Sequence, residues 1–155
     1  MAANVEAIAA VNHWRGQCLD NFARAEKAII ATLGELAKSN DGVRIHEAAA
    51  HRTRGLCQAL KQISKAPPAA RAAASLETWA LREKQRNHLA HGCFTVRAHC
   101  SQDWAFVNEV TEVRKNIATT SRTPWTKLEA DAFLKSIIVE RKNLEALLKQ
   151  ALAEV

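Results

Sequence analysis

The sequence predicts an all-α protein: an up-and-down bundle of four to five helices, with a small β-hairpin or meander inserted before the last helix. Three observations predict it. The chain is rich in Ala and holds only five Gly and three Pro in 155 residues, a composition that favours helix. Apolar residues recur at helical spacing over long runs. All three Pro fall between those runs and not inside them. With 48% hydrophobic residues the chain can bury a real core, and its length suits a single domain spanning residues 1–155.

The first run extends from about Val5 to Lys38. Val11, Cys18, Phe22, Ala25, Ile29, Leu33 and Leu36 form one stripe, and Ser39-Asn40-Asp41-Gly42 ends it. Trp14 and Phe22 read as core or dimer anchors. A second helix is expected from Val43 to Lys65, with Ile45, Ala49, Leu56, Leu60 and Ile63 buried. Ala66-Pro67-Pro68 then breaks the chain, since Pro cannot continue a helix but can begin one. A third helix is expected from about Ala69 to His91, with Gly92 as its C-terminal cap. Beyond Gly92 the pattern becomes β-prone: Cys93 to His99 alternates, and Trp104 to Val107 and the surroundings of Val113 and Ile117 follow. Part of Asn108 to Ile117 could instead be helical. Ser101-Gln102-Asp103 reads as a turn and Thr119 to Pro124 as a loop. Thr126 and Glu129 then make a capping box opening a last helix that reaches about Ala153.

The net charge is +6, from 22 basic and 16 acidic residues. Such an excess suits an anionic partner such as nucleic acid, and equally a solvated basic surface. The excess is plain around the second helix, where Arg44, Arg52, Arg54, Lys61 and Lys65 oppose a lone Glu47. Arg44, Arg52, Arg54 and Lys61 are candidate RNA-backbone contacts, because Lys and Arg neutralise phosphates without reading sequence. The alternative is an ordinary solvated helix face.

Cys18, Cys57, Cys93 and Cys100 fit no paired metal-ligand spacing and read as reduced, mostly buried thiols of a cytoplasmic protein. The N-terminal segment has no basic region followed by an apolar core, so no signal peptide is expected, and no run is long enough to cross a membrane.

Charged, amide and imidazole groups crowd together in one place, Arg86-Asn87-His88-Leu89-Ala90-His91-Gly92. At roughly 100° per residue, Arg86 lies about 140° around a helix from His91, so a second copy of the helix would more easily bring the two together. A His titrating near neutrality can be a general acid or base. Arg suits a phosphate that gains charge in a transition state, and Asn87 can orient either group. These types fit attack of a ribose 2′-hydroxyl on the adjacent phosphorus with no metal or other cofactor. The residue types fit just as well a helix that ends in Arg, His and Gly because those residues suit a C-terminus.

The stretch resembles the Arg-Asn-x-x-x-His signature of the HEPN superfamily (higher eukaryotes and prokaryotes nucleotide-binding domains), in the form Arg-Asn-x-Leu-Ala-His-Gly. The resemblance is specific over these seven residues. Its wider context is a long first helix and a final helix introduced by Trp125-Thr126-x-x-Glu129. What the resemblance implies is a helical protein that forms a homodimer with a composite active site and cuts RNA without metal. The implied role is that of a toxin or antiphage factor, with an antitoxin or defence-system partner. Arg86 and His91 would be catalytic and Asn87 would support them; His88 falls at a variable position and takes no catalytic role. Members that carry a modified Tyr two residues after the motif His differ from this chain, which has Cys93 there and no Tyr. Other members bind nucleotide, RNA or protein without cutting, and that alternative stands. A metal site from His88, His91, Cys93, His99 and Cys100 is a third reading, at a spacing that matches no usual zinc pattern.

Overall fold

The computed structural model describes residues 2–40, 42–63, 66–98 and 103–154. They form α1 (Ala2–Ser39), α2 (Ala49–Ile63), α3 (Pro67–Ala80), α4 (Glu83–His91), β1 (Cys93–Ala98), β2 (Trp104–Arg114), β3 (Ile117–Thr126) and α5 (Lys127–Leu152). The three strands make one antiparallel sheet in the order β1-β2-β3. This overturns the all-α bundle: the chain is an α+β protein, and its sheet is a principal layer. The residues divide into two units, Met1–Asp20 with Lys84–Ser136, and Asn21–Glu83 with Ile137–Val155.

The first unit shows why the sheet cannot be decoration. Phe94 on β1, Trp104 and Phe106 on β2 and Trp125 on β3 share one face by strand alternation and register. Helical aromatics complete that cluster. The Trp14 ring of α1 lies 5.2 Å from Phe106, 5.7 Å from Trp125 and 6.3 Å from Phe133 of α5, centre to centre. The Trp14 indole also donates to the Ala130 carbonyl at 2.7 Å, which satisfies its one polar atom inside the core.

Two β features depart from expectation. Thr119 to Pro124 is strand, not loop: it pairs along β2 from Glu112 to Val107. It is the middle of an edge strand whose residues are exposed from Ile117 to Pro124, so no alternation of apolar residues marks it. Pro124 is tolerated there because an edge strand does not need every N–H. The span from Asn108 to Arg114 is strand throughout, with no helical part. β2 and β3 are joined by Lys115-Asn116, both at positive φ (49° and 63°), the two-residue turn whose twist matches a hairpin.

The second unit is helical. The α1 stripe Phe22, Ala25, Ile29, Leu33 and Leu36 is buried, together with Leu56 and Leu60 of α2, Leu76 of α3, and Ile137, Leu144 and Leu148 of α5. Phe22 and Trp79 meet at 5.3 Å. The helix expected from Val43 begins six residues later, at Ala49, which leaves Ile45 in a loop and half exposed. Lys65 and Asp41 lie outside the described residues.

The helix expected from Ala69 to His91 is two helices. At Leu81 and Arg82 the backbone N–H groups bond three residues back, to the Thr78 and Trp79 carbonyls at 3.2 and 2.9 Å. The Arg82 guanidinium meets the Glu140 carboxylate of α5 through both carboxylate oxygens. That bidentate pair holds the tight turn, and it raises the Arg82 pKa further.

The capping box at α5 forms. The Thr126 N–H donates to Glu129 Oε2 at 2.8 Å, and the Glu129 N–H donates to Thr126 Oγ1 at 3.3 Å. The Thr126 backbone bond, and then its hydroxyl, hold the Glu129 carboxyl below its usual range. A depressed folded pKa makes this contribution present above the unfolded carboxyl range and lost as pH falls through the folded value. Thr126→Ala is expected to cost about 1 kcal/mol at neutral pH. Glu129→Gln should shallow the acid-side fall in melting temperature, read by circular dichroism between neutral and acid pH.

Candidate functional site

The seven-residue stretch forms the last turns of α4 and the residue that joins it to β1. In α4 only Leu89 is buried, so this helix is anchored by one apolar residue and otherwise by polar contacts. Arg86 is half-buried, and its Nη1 donates to Asn87 Oδ1 at 3.1 Å. Asn87 and His91 are exposed. The His91 imidazole has no hydrogen-bond or ion-pair partner among the described residues. Arg86 and His91 both lie on α4, so their offset of about 140° holds in the fold. The structure bonds Arg86 to Asn87 and places Asn87 and His91 on one helix face, four residues apart, with Arg86 turned away from His91. His88 is engaged elsewhere: its Nε2 stands 3.1 Å from Glu112 Oε1 of β2.

Gly92 has a different reason for being Gly than the one expected. It does not have a positive φ, so it is not the left-handed cap of a helix. Its N–H bonds the His88 carbonyl at 2.9 Å. A Cβ there would lie 1.9 Å from Asn108 Oδ1 and 2.5 Å from the His88 carbonyl oxygen. Asn108, buried on β2, donates from Nδ2 to that same carbonyl at 3.2 Å. Gly92 is therefore needed for close approach of the sheet to the helix end.

Four residues outside the stretch complete this region: Arg15 of α1, Phe94 of β1, and Asn108 and Glu112 of β2. Arg15 donates from Nε to the Leu89 carbonyl at 2.6 Å and from Nη2 to the Ala90 carbonyl at 2.8 Å, with its guanidinium 4.5 Å from the centre of the Phe94 ring. None of the four carries a local signal. Asn108 and Glu112 share a sheet face by strand alternation, which becomes legible only once β2 is known to be a continuous strand.

The basic residues expected to contact RNA belong to the second unit. Arg54 and Lys61 lie on α2, and Arg44 lies in the loop before it. Arg44 and Arg54 are exposed, and neither has a partner among the described residues. Lys61 is exposed and bonds Glu77 at 2.5 Å, a contact that raises its pKa and lowers that of Glu77. Arg52 is different. Its guanidinium donates to the Glu26 carboxylate of α1 and to the His46 and Glu47 carbonyls, so it ties the loop before α2 to α1. Arg52→Ala is expected to lower stability by about 2 kcal/mol, the range for hydrogen bonds to charged groups. Arg54→Ala should leave the melting temperature unchanged and reduce the slope of log affinity for RNA against log salt by about 1. Thermal melts and a salt titration of RNA binding check both.

Cys18 and Cys57 are buried and Cys93 is exposed. Burial pushes the Cys18 thiol up to about 12, and burial likewise raises Cys57, so neither is a ready nucleophile. Among the described residues no three His, Cys, Asp or Glu gather as metal ligands; His99 and Cys100 of the third reading lie outside them. Among the described residues no helix is long and apolar enough to cross a membrane.

No family model matches the chain, and neither does any curated protein or solved structure.

Proposed function

We propose that this chain is a metal-independent endoribonuclease of the HEPN type that acts as a cytoplasmic homodimer in a toxin or antiphage role. The observation that carries the reading is the set Arg86, Asn87 and His91 on one short helix, with the His91 imidazole exposed and unpartnered among the described residues. An imidazole in that condition can exchange a proton with a substrate.

In the proposed reaction one His91 takes the proton of the ribose 2′-hydroxyl as its oxygen bonds to the adjacent phosphorus. The phosphorus–O5′ bond breaks, and a second imidazole gives a proton to the leaving 5′-oxygen. Arg86 holds the phosphorane charge, and Asn87, already bonded to Arg86, orients it. Each chain supplies one motif His, so a two-fold dimer supplies both the base and the acid. The products are a 2′,3′-cyclic phosphate and a 5′-hydroxyl. DNA, lacking the 2′-hydroxyl, is inert. Arg44, Arg54 and Lys61 contact RNA phosphates without regard to sequence. The natural partner is an antitoxin or another component of a defence system.

The test is cleavage of a mixed RNA pool in EDTA by wild type, Arg86→Ala and His91→Ala, with product ends mapped. Wild-type cleavage that survives EDTA and disappears in both variants supports the reading. A folded, dimeric wild type that leaves the RNA uncut makes the chain a binding module instead.

A further inference from the structure

The end of α4 is held more tightly than a surface helix end requires. The last four carbonyls of any helix lack a partner within the helix. Here the His88 carbonyl receives the Gly92 N–H at 2.9 Å and Asn108 Nδ2 at 3.2 Å. The next two, of Leu89 and Ala90, receive the two arms of Arg15 at 2.6 and 2.8 Å. Three successive carbonyls just before His91 are thus clasped from two sides, by β2 and by α1. Water would satisfy these groups at an exposed helix end, so the clasp serves position more than hydrogen-bond supply.

We infer that Arg15 is a positioning residue for His91, an inference that rests on the ribonuclease reading above. Its guanidinium is a planar fork, and the two bonds to consecutive carbonyls fix both the height and the rotation of the last turn of α4. The Phe94 ring under the guanidinium holds the fork in its plane. Phe94 follows His91 by three residues, so platform and catalytic residue belong to one continuous segment that Arg15 closes on itself. Arg15 also places a fixed positive charge against the negative end of the helix. Its Nε and Nη2 bond the carbonyls just before His91, so the geometry assigns it to placing His91, and the KM measurement below separates that role from contact with substrate. A lysine keeps the charge but is a single point without a fork. Placement matters because a shift of about 1 Å in a catalytic group can cost ~10²-fold in rate.

The experiment compares wild type, Arg15→Lys and Arg15→Met as full chains. Turnover and KM are measured for a single-stranded RNA in EDTA, with a thermal melt for each protein. Arg15→Lys is expected to turn over roughly tenfold more slowly or worse, with KM within about twofold of wild type and a similar melt. Arg15→Met should fall further. Arg15→Lys is the decisive variant, because it keeps the stem and the charge and remains folded if Arg15→Met does not. Unchanged turnover in folded Arg15→Lys overturns the inference and leaves the ribonuclease reading standing. A rise in KM with turnover unchanged also overturns it, because the role is then in binding. A wild type that cuts nothing in EDTA overturns the ribonuclease reading, and the positioning role with it.

Discussion

His91→Ala is expected to lower RNA cleavage in EDTA by ~10²–10⁴-fold, the range for loss of a general acid or base. The melting temperature should not move, because the His91 side chain is exposed and bonded to nothing among the described residues. That combination makes the substitution a clean test of chemistry. Arg86→Ala should lose activity as well, and a mixed dimer allows a stricter experiment. Co-expressed wild-type and His91→Ala chains form mixed dimers that hold one motif His. If the base and the acid are the imidazoles of the two chains, the isolated mixed dimer is as inactive as His91→Ala itself. If one imidazole serves both steps, the mixed dimer keeps activity and the two-chain site is overturned. Full activity in His91→Ala alone would sink the mechanism.

Gly92→Ala is the substitution expected to damage the first unit most. Its Cβ would lie 1.9 Å from Asn108 Oδ1, 2.8 Å from Asn108 Cγ and 2.5 Å from the His88 carbonyl oxygen. Neither neighbour can yield freely. The carbonyl belongs to the helix, and Asn108 is 4% exposed with its amide bonded to that carbonyl. Overpacking costs about 1–3 kcal/mol, and displacing the buried amide adds a lost hydrogen bond of about 1 kcal/mol. A total near 3 kcal/mol corresponds to a fall in melting temperature of roughly 6–12 °C for a chain of this size. Asn108→Ala in the same chain should recover part of the loss, since it removes one of the two clashes. The His88 carbonyl still blocks the methyl, so recovery stays incomplete. A Gly92→Ala protein that melts with wild type would show that the sheet does not close on the helix end. Because the same clash moves the turn that carries His91, Gly92→Ala should also lose cleavage at temperatures where it remains folded.

Much of the local structure is legible in the residues. The α1 stripe from Val11 to Leu36 is buried along its length, because a long amphipathic helix repeats its signal many times. The start of α3 at Pro67 and the start of α5 after Thr126 are marked by residues whose chemistry acts within one turn. The place of the Arg-Asn-His set near a helix end is equally local.

The misreadings share a different character. The strand from Ile117 to Thr126 is exposed nearly throughout, so no period-two pattern betrays it; it exists because β2 offers a ladder to pair with. The break at Leu81 and Arg82 has no Gly or Pro to announce it and depends on Glu140, 58 residues later. Arg52 has the look of a free surface charge in the sequence and is a tie to Glu26 of α1.

By itself the sequence determined where the long helices lie, how two of them begin, and that Arg86, Asn87 and His91 stand near a helix end. Those properties depend on neighbours within a turn or two. Tertiary structure alone decided that the fold is α+β, that Gly92 serves close approach and not a left-handed cap, and that Arg15, 74 residues before Leu89, clasps the turn carrying His91. Each of these depends on pairing between segments far apart in the chain, and no periodicity or motif in the sequence encodes which distant carbonyl an arginine will find.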